Sequence, residues 1–238
     1  MGRALLFALT LLSLPALAVE LKPFSASYTA DWKQLPVSGS AERSLEALDN
    51  GLWQLNFEAS MLIASLTEQS TLRVDKDVFL PQTYLYERNG LGKGKKIEHD
   101  FDWSAKQVIG SDRDTPVRLP LNRGLLDKST YQLALQYDVA AGTKTMSYQV
   151  VDGDEVETYD FRVLGEEVVR TKAGLIDAIK VERVRDPTQS SRKTILWFAK
   201  DWDFLLVRLH QIEKDGKEYQ IMLKEGTIDG RAVEGIKE

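Results

Sequence analysis

The sequence contains no cysteine and only two histidines among its 238 residues. The lack of cysteine excludes a disulfide framework, thiol catalysis, a thiolate metal site and a lipid-modified N-terminal cysteine. The histidines, His99 and His210, lie far apart in the sequence, and neither has a metal-binding residue two or four positions later. Metal and acid–base sites need such side chains clustered with carboxylates, so this spacing predicts no metal, no cofactor and no catalytic residue.

An excess of positive charge is also missing. The chain has 31 Lys and Arg against 36 Asp and Glu, for a net charge of −5. A nucleic-acid-binding protein needs a basic face to neutralise phosphates. We therefore predict no nucleic-acid partner.

Long apolar runs are missing except at the N-terminus. There Arg3 precedes an apolar run over 4–14, and Ala16-Leu17-Ala18 follows with small residues at the two positions that a signal peptidase reads. The alternative is a membrane anchor, but the run is shorter than the roughly 20 residues that span a bilayer. We predict a signal peptide over 1–18, cleavage after Ala18, and a periplasmic mature chain that does not span the membrane.

What the sequence does have is period-two alternation, which is typical of half-buried strands. In the first example, alternate residues from Phe24 to Trp32 are apolar and the residues between them are polar. The predicted strands lie near 22–34, 37–47, 52–62, 65–75, 79–88, 94–103, 106–110, 143–151, 155–164, 166–171, 175–185, 192–199, 203–213 and 217–228.

Tight-turn dipeptides separate many of these strands. They are Asn50-Gly51, Asn89-Gly90, Asp152-Gly153 and Asp215-Gly216. Such pairs favour hairpins, because the central residues of a two-residue hairpin turn need positive φ. Parallel strands would need helical crossovers, for which the chain has almost no room, so the sheet is predicted to be mainly antiparallel.

One segment breaks the alternation and predicts a helix. Ser129 and Gln132 fit a capping box, the helix runs to about Asp138, and Gly142 is a plausible stop. Its apolar residues surround most of the helix, which is typical of burial on most sides. Either a curved sheet wraps the helix, or the helix plugs one end of a sandwich.

These patterns together predict a mainly β fold. We expect a large curved antiparallel sheet, an incomplete barrel, around one short helix, in a single domain over 19–238. A break near 112–126 is the alternative to a single domain.

Large aromatic residues on strands are the clearest candidates for a binding site. On the concave face of a curved sheet they either fill a core or line an apolar cavity. The cavity interpretation assigns ligand binding to Trp32, Trp53, Phe57, Trp103, Tyr131, Leu135 and Trp197.

A basic, glycine-rich segment over 90–96 is the second candidate. It lacks the Ser or Thr and the following helix of a phosphate-binding loop. The plain interpretation is a mobile hairpin tip. The functional one is that Lys93, Lys95 and Lys96 contact an anionic headgroup or an acidic partner.

A series of short motifs resembles the exported bacterial family known as domain of unknown function 3108. They are Phe24-x-Ala-x-Tyr28, Gly39-x-Ala-x-Arg43, Leu80-Pro81-x-x-Tyr84, Asp127-x-Ser129, Thr171-x-Ala173-Gly174, Ala178-x-Lys180-Val181, Trp197-Phe198-Ala199-x-Asp201 and Leu206-Val207-Arg208. The resemblance implies no catalytic motif. It also implies a layout similar to periplasmic lipoprotein carriers, which hold acyl chains in an incomplete barrel. No residue matches the lipid-handling positions of those carriers.

The leading hypothesis is a non-enzymatic periplasmic protein that binds an apolar or amphipathic ligand, such as a lipid or acyl chain, in envelope maintenance. Its partner would be a lipid or a lipoprotein. The first alternative is a scaffold that binds an envelope protein. The second is a glycan or lipid hydrolase, which would need two or three groups from among His99, His210 and the acidic residues to converge.

Overall fold

The computed structural model describes residues 20–33, 38–62, 64–90, 92 and 94–237. The predicted signal peptide, its cleavage site and Lys93 lie outside the described residues.

The described chain forms sixteen β-strands and one α-helix. The first eight strands are β1 (Phe24–Trp32), β2 (Ser38–Ala47), β3 (Leu52–Met61), β4 (Ala64–Asp75), β5 (Val78–Gly90), β6 (Lys95–Asp102), β7 (Gln107–Asp112) and β8 (Thr115–Pro120). The short β9 (Leu125–Leu126) leads into α1 (Thr130–Ala140). The remaining strands are β10 (Thr145–Asp152), β11 (Glu155–Thr171), β12 (Gly174–Val184), β13 (Lys193–Ala199), β14 (Leu206–Ile212), β15 (Glu218–Ile228) and β16 (Arg231–Ala232).

All sixteen strands belong to one sheet. Its order is β8-β7-β6-β5-β4-β3-β2-β1-β15-β14-β13-β12-β11-β10-β9, with β16 added beside β15. Every neighbouring pair is antiparallel except β9 and β10, which are parallel. The predicted fold class is therefore confirmed: the fold is mainly β, with a large antiparallel sheet that is not closed into a barrel.

The two ends of the sheet meet through side chains at a contact that we call the seam. His99 Nε2 on β6 lies 2.8 Å from the carbonyl oxygen of Gly153, in the β10–β11 turn. Gly153 has φ +74°, a left-handed conformation that favours glycine, and a Cβ there would lie 2.4 Å from Asp112 Oδ2, so the Asp112 carboxylate would have to move. An apolar cluster spans the same contact and joins Tyr84, Ile97, Phe101 and Val108 to Leu125 and Val151.

The helix lies against the inner, concave face of the sheet. Leu133 and Ala134 belong to one apolar cluster with residues of β1 to β4, and Leu135 and Val139 belong to a second with residues of β10 to β14. Since strands on both sides contact it, the sheet wraps the helix.

The two helix ends differ in how well the sequence predicted them. Gly142 ends the helix as predicted: it has φ +82°, its N–H bonds to Val139, and the N–H of Thr143 bonds to Asp138. These two bonds are those of a Schellman motif. The capping-box prediction was wrong, because the Ser129 side chain makes no capping hydrogen bond.

Several strands also differ from the prediction. The expected strands over 155–164 and 166–171 form the single strand β11, with a bulge between Val163 and Gly165. The segment over 112–126, where a domain break was the alternative, holds β8 and β9. Asn89-Gly90 was expected to be a turn, but both residues are still paired with β4.

Candidate functional site on the inner face of the sheet

The end of the inner face that the helix covers is tightly closed. Here Phe24 pairs with Leu45, and Leu45 pairs with Leu55 across β1, β2 and β3. These side chains are almost completely buried in one cluster, together with Leu72 of β4 and Leu133 of the helix. We call this region the packed half.

The other end of the inner face keeps contact with solvent, and we call it the open half. Its cross-strand pairs include Trp32 with Tyr219, Ala30 with Ile221, and Ala41 with Ala59. Large apolar side chains here are only partly buried, although the register points them inward: Trp32, Phe57, Leu66, Leu209, Tyr219 and Ile221.

Small residues line part of the open half. Ala30 faces Gly39 of β2, and Ala41 of β2 faces Ala59 of β3. A Cβ on Gly39 would lie 2.2 Å from the Ser60 carbonyl oxygen, so no larger residue fits there. The concave surface is consequently less filled here than in the packed half.

Between the two halves the inner face carries buried charge. Arg43 of β2 pairs with Phe57 of β3, which pairs with Glu68 of β4, so the three side chains share one row. Arg43 is 3% exposed and Glu68 is 9% exposed. The Glu68 carboxylate accepts a hydrogen bond of 2.5 Å from the Tyr84 hydroxyl, and burial raises the pKa of Glu68.

Asp127 connects the start of the helix to this row. Its carboxylate accepts hydrogen bonds from the backbone N–H groups of Ser129 and Thr130 and from the Ser70 hydroxyl of β4, each between 2.7 and 2.8 Å. The Thr130 hydroxyl donates to its second oxygen. Asp127 therefore caps the helix and anchors it to β4, although burial raises its pKa.

Tyr131 places an aromatic cluster beside the buried charge. Its ring centroid lies 5.0 Å from that of Tyr159 and 5.7 Å from that of Phe161. The Arg183 guanidinium lies 3.2 Å from the centroid of the Tyr159 ring. Burial raises the pKa of Tyr131 to about 12, so its hydroxyl stays protonated at neutral pH.

The structure brings together only some of the predicted ligand-binding residues. Trp32, Phe57 and Tyr131 lie in or beside the open half, whereas Trp53 and Leu135 lie where the helix covers the sheet.

The other two predicted residues lie elsewhere. Trp103 donates from Nε1 to the Pro81 carbonyl oxygen and packs against the seam cluster. Trp197 is 2% exposed, on the face of β13 opposite Leu196. Lys180 and Arg208 flank its ring at 5.2 and 4.4 Å.

The predicted basic contact is also placed only in part. Lys95 and Lys96 are the first two residues of β6. Lys95 Nζ lies 2.9 Å from Asp112, and Lys96 Nζ lies 2.8 Å from Glu98. Both lysines therefore have a carboxylate partner. Their predicted role in contacting a headgroup or partner stays a prediction.

The two histidines do not meet. His99 is buried on the inner face at the seam. His210 lies on the face of β14 opposite Leu209, and its Nε2 atom is 3.1 Å from the Glu218 carboxylate. Within the described residues no group of three or more His, Asp or Glu side chains is placed to hold a metal ion.

Two depressions of about 430 and 400 Å³ lie away from the predicted site residues. The first is on the outer surface of β5, β6 and β7, around Thr83, Glu98 and Asp100. The second is beside the C-terminal part of the helix, around Gln136, Lys200 and Asp203.

Sequence reasoning missed Arg43, Glu68 and Asp127 as members of the site. A signal was present for Arg43, because it replaces an apolar residue in the alternation between Ala41 and Leu45. Glu68 carries no such signal, because Thr67 and Gln69 beside it are polar. Asp127 appeared only in the Asp127-x-Ser129 motif, which gave it no role in a site.

No α-helix in the described parts of the chain has the length and apolar character needed to span a bilayer.

Comparison with known proteins supports the resemblance seen in the motifs. The sequence model of the family described as Protein of unknown function (DUF3108) matches residues 27–224. No curated protein matches the chain.

A similar solved structure is described as a beta-barrel-like protein of domain of unknown function DUF1849 from Brucella abortus. It has a TM-score of 0.58 and 11% identity, and the match covers 88% of this chain and 99% of that chain. At this identity the likeness shows the fold alone.

Proposed function

The chain belongs to the DUF3108 family of proteins of unknown function, and from this premise we propose that it is a non-enzymatic periplasmic binding protein. Its ligand is amphipathic, and the apolar chain of that ligand lies in the open half of the inner face. The ligand class is a lipid or an acyl chain, and the role is in envelope maintenance.

One observation carries this proposal: inward-facing apolar side chains of the open half keep solvent contact. Phe57 and Ile221 sit on the concave face of a sixteen-stranded sheet and are only partly buried. An apolar ligand covering such a surface gains about 25 cal/mol per Å² of apolar area removed from water. An acyl chain matches a curved surface of this kind because it makes the same nondirectional contacts.

The size of the inward side chains also supports binding. The small side chains of Gly39, Ala30 and Ala59 fill less of the concave space than the leucine and phenylalanine side chains of the packed half. Small-molecule sites are concave and mostly apolar, with few polar groups. The row of Arg43 and Glu68 supplies the polar groups at the inner end of this surface.

The test uses two variants that differ by one position along β3. Ala59→Trp places a large ring on the inner face of the open half, and Glu58→Trp places the same ring on the exposed outer face. Binding is measured as the fluorescence of N-phenyl-1-naphthylamine, a neutral apolar dye, and as its displacement by dodecanol.

We expect wild type and Glu58→Trp to bind the dye, and Ala59→Trp to lose about tenfold or more in affinity. A cooperative thermal unfolding transition in each variant serves as the control that both variants fold. If wild-type protein binds neither dye nor dodecanol, or if Ala59→Trp binds as well as Glu58→Trp, the proposed function is wrong.

The periplasmic location rests on the sequence of the first 18 residues and has its own test. Intact-mass measurement of protein purified from the periplasm is expected to show a chain that begins at Val19. Recovery of the full-length chain in the membrane fraction would contradict export as a cleaved protein.

A further inference from the structure

Arg43 is a buried charge on the inner face that packing does not explain. It is 3% exposed, and its Nη1 atom has no hydrogen-bond partner among the described residues. Its guanidinium makes a cation–π interaction with Phe24, at 5.1 Å from the centroid of the ring. A buried guanidinium normally has carboxylate or carbonyl partners, because an unpaired buried charge is strongly unfavourable.

No carboxylate pairs directly with Arg43 among the described residues. The charge of Glu68 in the same row favours the charged form of Arg43, but the Glu68 carboxylate accepts its hydrogen bond from Tyr84 and forms no ion pair with Arg43. The Tyr28 hydroxyl donates to the Leu206 carbonyl oxygen. Burial and nearby charge leave Tyr28 and Tyr131 with pKa values of about 12, so both hydroxyls are neutral at pH 7.

Arg43 also lies where a ligand in the open half would end. Its cross-strand neighbour Phe57 is partly buried, so solvent-accessible surface reaches the row of Arg43. One step further along the same strands, Ala41 faces Ala59, in the part of the open half with small side chains. On the other side, Leu45 and Leu55 close the packed half.

We propose that Arg43 binds the anionic head group of the ligand, a carboxylate or a phosphate at the end of an acyl chain. This inference rests on the proposed function and names the class of its ligand. The head group enters first and reaches the guanidinium, while the apolar chain extends along Phe57 and Ala59 toward Trp32. Charge-assisted bonds to a planar guanidinium suit both head groups.

The experiment compares ligands with the same chain and different head groups. Dodecanoate, dodecyl phosphate and uncharged dodecanol each displace N-phenyl-1-naphthylamine from full mature protein. The variants are Arg43→Met, which keeps the stem against Phe24 but removes the charge, and Arg43→Lys, which keeps a charge. Arg73→Met is the matched control, since Arg73 is exposed.

We expect wild type and Arg73→Met to prefer at least one anionic ligand over dodecanol by about tenfold or more. Arg43→Met should lose the preference while still binding dodecanol, and Arg43→Lys should recover part of it. The stronger of the two anions identifies the head group as carboxylate or phosphate.

Stability without ligand gives a second readout that a purely structural arginine would not produce. Removing an unpaired buried charge is expected to raise the Tm of ligand-free Arg43→Met above that of wild type. A structural role predicts the opposite change.

Three outcomes overturn the inference. The first is a wild type that binds dodecanol and the anions equally. The second is an Arg43→Met variant that keeps the anion preference. In both cases dodecanol binding leaves the proposed function standing. In the third, none of the three ligands binds, and the proposed function fails together with the inference.

Discussion

The packed half and the open half are built from the same strands, yet only one of them is closed. On β1 the packed half holds Phe24 and the open half holds Trp32, and both point inward. The difference comes from the helix. Its 11 residues span only about 16 Å, whereas the nine residues of β1 extend about 30 Å. A helix of this length fills about half of the interior and leaves the rest uncovered.

The largest expected effect comes from breaking the packed half. Leu133→Ala removes a fully buried helix side chain and leaves a cavity among Phe24, Leu45 and Leu72. We expect the free energy of unfolding to fall by roughly 3–5 kcal/mol, measured by urea denaturation. A loss below about 1 kcal/mol would show that this half is not tightly packed.

Asp127→Ala should have the next largest effect, because it detaches the helix from β4. It removes the cap on Ser129 and Thr130 and the partner of the Ser70 hydroxyl. We expect a loss of about 3 kcal/mol in the free energy of unfolding. Ser70→Ala, which breaks only one of these bonds, is the control and should lose about 1 kcal/mol.

Ile221→Ala in the open half sharpens the comparison with Leu133→Ala. Ile221 is only partly buried and faces Ala30, so we expect a stability loss of about 1 kcal/mol. The affinity for N-phenyl-1-naphthylamine should fall in this variant. A stability loss as large as that of Leu133→Ala would contradict the division into two halves.

The smallest expected effect is the pH dependence of stability that arises from Glu68, which lies between the packed half and the open half. Burial raises the pKa of Glu68 above its ordinary value of 4.5, so the folded state retains a proton that the unfolded state releases. This contribution to stability is present below pH 4.5 and is lost as pH rises through the folded pKa. Asp127 contributes with the same sign.

Glu68→Gln tests this pH dependence. It should be more stable than wild type at pH 7, and the difference should shrink as pH falls through the raised pKa of Glu68 toward 4.5, as measured by Tm across pH 4–8. Glu58→Gln, on an exposed residue of the outer face, should change neither the Tm at pH 7 nor its slope. A Tm of Glu68→Gln below that of wild type at every pH would contradict the assignment.

The sequence predicted features that depend on local pattern. Alternation in β1 places Phe24, Ala26 and Tyr28 on one face, and the structure buries all three. Gly142 ends the helix because a Schellman motif needs positive φ at that position.

Features that depend on tertiary contacts were missed. The turn before β8 uses Arg113 at φ +56° where glycine or asparagine would have signalled a hairpin, and Pro116 and Pro120 hide the strand itself. Both prolines are compatible with β8 because it is an edge strand.

The sequence could predict which face of the strands carries the candidate site, but it could not predict where along the strands the site lies. Alternation identified Trp32 and Phe57 as inward, but it cannot tell how far along the strands the helix reaches. It also misplaced Trp197, because both faces of β13 carry large apolar residues at that point. The isolation of Arg43 depends on Glu68 binding Tyr84 instead, which only the three-dimensional arrangement decides.

The position of β1 has a consequence for when the chain folds. Its two neighbours are β2 and β15, and Phe24 lies opposite Ile228, so the middle of the sheet joins the two ends of the polypeptide. Pairing residues so far apart in the sequence is entropically unfavourable and slow. The β1–β15 pairing can therefore form only when nearly all of the described chain is present, whereas the seam joins β6 to the β10–β11 turn over a much shorter separation.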